Sequence, residues 1–191
     1  MTNSWRQRAL AKRFVLVDRD GTLNLEKNYL SAPDQLELIP GAGPALKRLQ
    51  DAGWGICVVS NQSGVARGYF DMDQLAKVHR RLEEMLIGFD VRLDGIYLCP
   101  HSPDAGCNCR KPLPGMVHQA MADHGFDPRQ AWVVGDKDVD VGLGHAVGAR
   151  SILVRTGYGK HHESGSQADF IADDLAGAID LILDGWRQNI E

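Results

Sequence analysis

Apolar residues fall along this chain in short unbroken runs separated by helically spaced stripes, and that alternation sets the expected architecture. Phe14-Val15-Leu16-Val17, Gly55-Ile56-Cys57-Val58-Val59, Gly95-Ile96-Tyr97-Leu98, Ala131-Trp132-Val133-Val134 and Ser151-Ile152-Leu153-Val154 are each bounded by turn formers. Such runs read as strands covered on both faces, and a brief further strand is expected near Phe170. Between them, residues 41–51 place Ala45, Leu46 and Leu49 on one face with Gly53 to close the helix. Residues 74–87 repeat Leu75, Val78, Leu82, Met85 and Leu86 behind Asp71 or Asp73 as a cap. Helices are also expected over 114–124, with Pro114 near the first turn, over 138–147, with Val139, Leu143 and Val147 on one face, and over 175–186. Residues 25–40 lack a period and contain Pro33, Asp34 and Pro40, so they read as a flap-like excursion; a glycine-rich loop runs through Ser166. Strands alternating with helices predict an α/β fold, a doubly wound, mostly parallel sheet with a small flap and no large cap domain.

Composition narrows the function. The 191 residues suit one domain, residues 1–191, with no linker to divide it. Lys plus Arg number 21 against 25 Asp plus Glu, a net charge of −4 without like-charge blocks, so no nucleic-acid partner is expected. No run approaches the roughly 18 apolar residues of a membrane span, and the basic leader lacks the apolar core of a secretory signal. A cytoplasmic protein without a membrane partner is expected. Residues 1–12 read as an N-terminal extension, either a short helix or a frayed segment.

Candidate chemistry gathers at strand ends. The first run leads directly into Asp18-Arg19-Asp20-Gly21-Thr22, at the edge where open α/β sheets bind ligands. Two close carboxylates repel unless they share a proton or hold a hard cation, and Mg²⁺ is the cation that also bridges to phosphate oxygens. Asp18, Ser60 and Asp136 each lie at or just past the carboxyl end of an expected strand, so the sheet should bring them together. Ser60, the Asn61 amide and the Lys111 ammonium can donate to the three equatorial oxygens of a phosphoryl group. Asp140, four residues beyond Asp136, reads equally as a support behind a metal or as a solvated helix residue. Three of the four cysteines, Cys99, Cys107 and Cys109, share an eleven-residue stretch with His101. That Cys₃His set in the 99–109 loop suits tetrahedral Zn²⁺ of the structural kind, with a disulfide or free thiols as the alternative. Arg110 and Lys111 follow directly, so a bound metal would clamp both. Cys57, mid-strand, reads as a small buried hydrophobe.

Asp18-Arg19-Asp20-Gly21-Thr22 after an apolar strand resembles the first motif of the haloacid dehalogenase superfamily of phosphatases. With Ser60-Asn61-Gln62-Ser63-Gly64-Val65-Ala66-Arg67-Gly68, Cys99-Pro100-His101, Cys107-Asn108-Cys109-Arg110-Lys111-Pro112 and Val134-Gly135-Asp136-Lys137, the chain is similar over residues 13–157 to the zinc-containing histidinol-phosphate phosphatase group. The resemblance implies that Asp18 is the nucleophile, Asp20 the general acid and base, and Ser60 and Lys111 the phosphoryl donors. It implies Mg²⁺ on Asp18, Asp20 and Asp136, and Zn²⁺ on Cys99, His101, Cys107 and Cys109. Substrate contacts are implied for Glu26, Lys27, Asn28 and Tyr29 and for Asn61, Gln62 and Ser63. Arg67, Arg110 and Lys137 are placed to meet a second phosphate. Residues 63–68 look heptose-type, which implies removal of the 7-phosphate of a heptose 1,7-bisphosphate in nucleotide-activated heptose supply for cell-surface glycans. The short zinc loop matches the histidinol-phosphate enzymes, whose substrate is the alternative. A monomer acting on a small sugar phosphate is expected; a catalytically silent zinc-binding module would have little use for Asp18, Asp20, Lys111 and Asp136 together.

Overall fold

The computed structural model describes residues 12–187, so the expected N-terminal extension lies outside the described residues except for Lys12. The apolar runs form β1 (Phe14–Val17), β2 (Gly55–Asn61), β3 (Gly95–Cys99), β4 (Trp132–Gly135), β5 (Arg150–Val154) and β6 (Phe170–Ala172). They make one sheet in the order β3-β2-β1-β4-β5-β6, and every neighbouring pair is parallel. Helices α1 (Ala42–Asp51), α2 (Met72–Ile87), α3 (Gly115–His124), α4 (Asp138–Val147) and α5 (Gly159–His162) supply the crossovers, and α6 (Leu175–Arg187) follows the last strand. None of the described helices is long and apolar enough to cross a membrane.

Because strand side chains alternate between faces, each apolar run feeds two cores. Val15, Val17, Ile56, Val58 and Val134 pack with Leu46 and Leu49 of α1, Val78 and Leu82 of α2 and Ile179 of α6. Leu16, Cys57, Val59 and Val133 pack on the other side with Met116 and Val117 of α3 and Leu143 of α4. Coverage on both faces is why the runs read as unbroken rather than alternating.

The element boundaries differ from expectation where polar residues carry the ladder onward. Strand β2 continues through Ser60 and Asn61, which pair with Leu98 and Cys99 of β3, so Cys99 is also a strand residue. Asp71 rather than Asp73 caps α2: its Oδ1 accepts from the Gln74 amide at 2.7 Å while Gln74 Oε1 accepts from the Asp71 amide at 2.9 Å. Pro114 stands at the N-cap of α3 rather than inside its first turn. Helix α5 interrupts the glycine-rich loop; a single turn is too short for periodicity to show it. The excursion 25–40 is tied down at its base. The Leu25 amide donates to the Glu37 carbonyl and the Ile39 amide to the Leu23 carbonyl, each at 2.9 Å, and Leu30, Leu36 and Ile39 are buried.

From β1 the chain first builds outward through β2 and β3, then returns to β4 on the opposite side. The crevice beyond the carboxyl ends of β1 and β4 is therefore the topological switch point, where ligands bind in such sheets.

Candidate active site

The carboxyl end of β1 delivers Asp18, and that of β4 delivers Asp136. The Asp18 amide donates to the Val134 carbonyl at 2.9 Å, holding the two strand ends together. Asp140, on the first turn of α4, folds back under β4: its Oδ2 accepts from the Lys137 amide at 3.1 Å, and a Cβ on Gly135 would collide with its carboxylate. The carboxylates of Asp18, Asp136 and Asp140 lie within 4.8 Å of one another, and all three residues are buried. Asp140, whose role the pattern left open, thus belongs to the cluster. Gly21 and Gly157, at φ +82° and +56°, press backbone against Asp136, and a side chain on either would strike its Oδ2.

Three buried carboxylates need cations. The Lys111 ammonium, buried, lies 2.7 Å from Asp18 Oδ1 and 2.6 Å from Asp140 Oδ1, and donates to the Val59 carbonyl at 2.8 Å. Asn61 fixes its main chain, accepting from the Lys111 amide at 3.0 Å and donating to the Lys111 carbonyl at 3.2 Å. Burial opposes the charge on Lys111, but the two carboxylates outweigh it and hold the ammonium above its usual range. Burial, then the charge on Asp18, pushes Asp136 up to about 7. Burial pushes Asp140 up to about 6 against the pull of Lys111. Asp136 Oδ1 is buried without a hydrogen-bond partner. A carboxylate oxygen with no hydrogen bond, and with only Lys137 Nζ at 3.5 Å as a nearby cation, fits a hard divalent cation, for which oxygen ligands of this kind are the natural set.

The carboxylate of Asp20, expected with Asp18 and Asp136 in the metal set, is not among the three that cluster within 4.8 Å. Its Oδ1 accepts from Asn24 Nδ2 at 3.0 Å, and its Oδ2 accepts from Arg19 NH2 at 2.8 Å and Gln62 Nε2 at 3.0 Å. Burial raises its pKa, but the Arg19 charge and the bonds from Asn24, Arg19 and Gln62 prevail and keep the carboxyl below its usual range. Gln62 Nε2 also donates to Ser60 Oγ at 2.8 Å, which leaves the Ser60 hydroxyl hydrogen free for another acceptor.

These groups border a cavity of about 370 Å³. Asp18, Asp20, Ser60, Asn61, Gln62, Ser63 and Lys111 form its inner end, and Glu26, Asn28, Tyr29, Arg110 and Lys137 its outer wall. Lys137 Nζ lies 3.4 Å from Glu26 Oε2 and 3.5 Å from Asp136 Oδ1, and over the Tyr158 ring at 4.7 Å. Arg110 NH1 is buried without a hydrogen-bond partner. Lys27 and Arg67, expected at the substrate, do not line the cavity. Lys27 turns outward to Glu37 at 2.8 Å, and Arg67 is exposed.

The four zinc-set residues converge beside this wall. Cys99 Sγ lies 3.6 Å from both Cys107 Sγ and His101 Nδ1, and His101 Nδ1 lies 3.3 Å from Cys109 Sγ. Sulfur ligands about 2.3 Å from a tetrahedral zinc stand about 3.8 Å apart, so the donor set fits that ion. No cysteine of the four is disulfide-bonded. Within the cluster burial pushes all three thiols up, but the Arg110 backbone and the other two thiols draw Cys107 down, whereas Cys99 and Cys109 stay raised, so the three share their protons unequally.

Comparison with known proteins places this arrangement. A HAD-hydrolase-like family model matches residues 108–178. D-glycero-D-manno-heptose-1,7-bisphosphate 7-phosphatase from Thermosynechococcus vestitus is 41% identical over 184 residues, covering 88% of this chain and 94% of the relative. The D-glycero-beta-D-manno-heptose-1,7-bisphosphate 7-phosphatase from Haemophilus ducreyi is 40% identical over 181 residues, covering 91% and 98%. The crystal structure of D,D-heptose 1,7-bisphosphate phosphatase from B. bronchiseptica, complexed with magnesium and phosphate, superposes with a TM-score of 0.86 at 33% identity over 91% of this chain and 99% of that one. The chain belongs to the heptose-1,7-bisphosphate 7-phosphatase family of HAD-like hydrolases.

This family member carries site residues that sequence reasoning did not single out. Arg19 is fully buried and binds Asp20 and Gln62. Tyr158 donates its amide to Asp136 Oδ2 at 2.8 Å and its hydroxyl to Asn28 Oδ1 at 3.0 Å, joining the carboxylate cluster to the excursion. Leu30, Gly64 and Val139 complete the lining. Of these, Arg19 within the Asp18–Thr22 motif and Gly64 within the Ser60–Gly68 motif carried a signal in the sequence.

Proposed function

We propose that this chain is a Mg²⁺-dependent phosphatase that removes the 7-phosphate of D-glycero-D-manno-heptose 1,7-bisphosphate. The observation that carries the reading is the paired environment of Asp18 and Asp20 at the inner end of the cavity: one carboxylate sits among cation and carboxylates, the other is held by amide and guanidinium donors. Relatives named for this reaction support the substrate, and Arg110 and Lys137 on the outer wall suit the phosphate that does not react.

Asp18, Asp136 and Asp140 would hold Mg²⁺, which supplies charge neutralisation at the phosphoryl oxygens when bound. Asp18 attacks phosphorus as the bond to the sugar oxygen breaks, forming an aspartyl-phosphate. Ser60 and the Asn61 amide donate to the equatorial oxygens as charge spreads over them, and the Lys111 ammonium, its three hydrogens held by Asp18, Asp140 and the Val59 carbonyl, adds positive charge beside them. The leaving sugar oxygen takes a proton from Asp20. Because Asp20 is anionic before substrate arrives, that proton enters with the monoanionic phosphate, whose second pKa is about 6. Asp20 then accepts a proton from the water that attacks phosphorus, and the bond to Asp18 breaks to restore the carboxylate. Cys99, His101, Cys107 and Cys109 would hold Zn²⁺, which ties down the segment that presents Arg110 and Lys111.

Phosphate release from heptose 1,7-bisphosphate and from histidinol phosphate, measured side by side with Mg²⁺ and with chelator, tests the reading. A large Mg²⁺-dependent preference for the heptose is expected. Preference for histidinol phosphate would overturn the substrate assignment, and Mg²⁺-independent or absent turnover of both would overturn the reaction.

A further inference from the structure

Arg19 is a buried cation with one nitrogen turned away from the cavity. Nε and NH2 face Asp20 Oδ2 at 3.1 and 2.8 Å, and NH2 also donates to Gln62 Oε1 at 3.2 Å. NH1 points toward α2 and lies 3.0 Å from His79 Nε2. His79 is 8% exposed and does not line the cavity, so it touches no substrate. A guanidinium carries donors only, so this contact is a hydrogen bond when Nε2 bears no proton, which places the ring hydrogen on Nδ1. Burial and the Arg19 charge both disfavour the imidazolium, against a smaller opposite pull from Asp20.

We propose that His79 is the positioning residue for the acid–base carboxylate: its neutral Nε2 accepts from Arg19 NH1 and so fixes the plane in which Nε and NH2 meet Asp20. The proposal rests on the role given to Asp20 above. Without the acceptor, a buried N–H loses its partner, and the guanidinium must turn to find another. Since Arg19 is planar and rigid, turning NH1 moves Nε and NH2 off Asp20. Gln62 bridges Arg19, Asp20 and Ser60, so the disturbance passes to a phosphoryl donor as well.

The test compares His79→Leu, which removes the acceptor, with His79→Gln, whose carbonyl can replace it, using heptose 1,7-bisphosphate with Mg²⁺ and resolving kcat from KM. His79→Leu should lower kcat by about tenfold or more with KM little changed, and His79→Gln should recover most of that loss. Equal losses in both variants, a change confined to KM, or no change in either would overturn the proposal. A second measurement does not depend on any variant folding: ¹⁵N spectra of histidine-labelled wild-type protein at neutral pH should show His79 protonated on Nδ1 and bare on Nε2. A proton on Nε2 would overturn the proposal. Unaltered variants beside an active wild type would refute the positioning role alone, whereas an inactive wild type would refute the phosphatase reading.

Discussion

The Lys111 ammonium lies 2.7 Å from Asp18 Oδ1, a buried pair between residues 93 positions apart. It bridges onward to Asp140, so one cation holds the end of β1 against the first turn of α4. Lys111→Met keeps the length of the side chain and removes the charge, leaving Asp18, Asp136 and Asp140 to face one another. Breaking a buried pair in this way costs about 3–5 kcal/mol. Denaturant unfolding without metal should show that loss, and added Mg²⁺ should restore more stability to the variant than it adds to wild type. Turnover should fall by about 10²–10³-fold, the effect of removing one preorganised positive charge beside the developing charge. Wild-type stability in the metal-free variant would mean that the pair does not hold the cluster.

The cluster was legible in the sequence because strand ends are. Four-residue apolar runs are long enough to mark buried parallel strands, and Asp18 and Asp136 stand directly after them. Asp140 could be resolved only by distance, since the third position of a helix faces core or solvent according to packing. Arg19 between two aspartates reads as a solvated charge, yet it is fully buried; a sequence does not show that the second residue past β1 turns inward against α2. His79 lies between the apolar positions of α2 and Tyr158 in a loop without a period, so neither offered a pattern. Lys27 stands outside the cavity lining for the complementary reason: in an aperiodic excursion, adjacent residues point in unrelated directions, and Glu37 pairs with its ammonium.

The two predicted phosphate-binding cations of different placement separate cleanly by mutation. Arg110 lines the cavity with a buried, unpartnered NH1, so Arg110→Ala should raise KM for the bisphosphate by about 10- to 100-fold, the range of one charge-assisted contact at about 1.5–3 kcal/mol. Lys27→Ala, outside the lining, should leave KM within about twofold, since exposed pairs such as Lys27–Glu37 contribute about 0–1 kcal/mol. Steady-state kinetics on the bisphosphate check both. Equal effects would show that the excursion closes on substrate differently from the arrangement described here.

The Cys₃His cluster predicts that metal removal reaches the active site. Cys109 of the cluster directly precedes the Arg110–Lys111 pair, and the Gly115 amide donates to the Asn108 carbonyl at 3.0 Å, so the segment has little slack. Cys109→Ser should lower bound zinc, reduce thermal stability and cut turnover by about tenfold or more even with Mg²⁺ in excess. Metal analysis, thermal melts and phosphate release on the same preparation distinguish the outcomes. Full activity in zinc-free protein would separate the cluster from Lys111.

His79 predicts the sign of one pH effect. The ring is held neutral by burial and by Arg19, its pKa brought from 6.5 down to about 4, with Asp20 the opposing charge. Between those values the unfolded chain binds a proton that the native state does not, so stability rises with pH through the window. The contribution is complete above pH 6.5 and is lost as pH falls toward 4. From pH 7 to pH 5 the loss is about 2 kcal/mol. His79→Gln removes this titration and leaves the carboxylates in place, so subtracting its unfolding free energy from that of wild type cancels their contribution. The difference should shift by about 2 kcal/mol against wild type over that interval, measured by denaturant titration at both pH values. A difference that does not change with pH would mean that His79 takes up its proton in the folded protein, and an imidazolium cannot accept from Arg19.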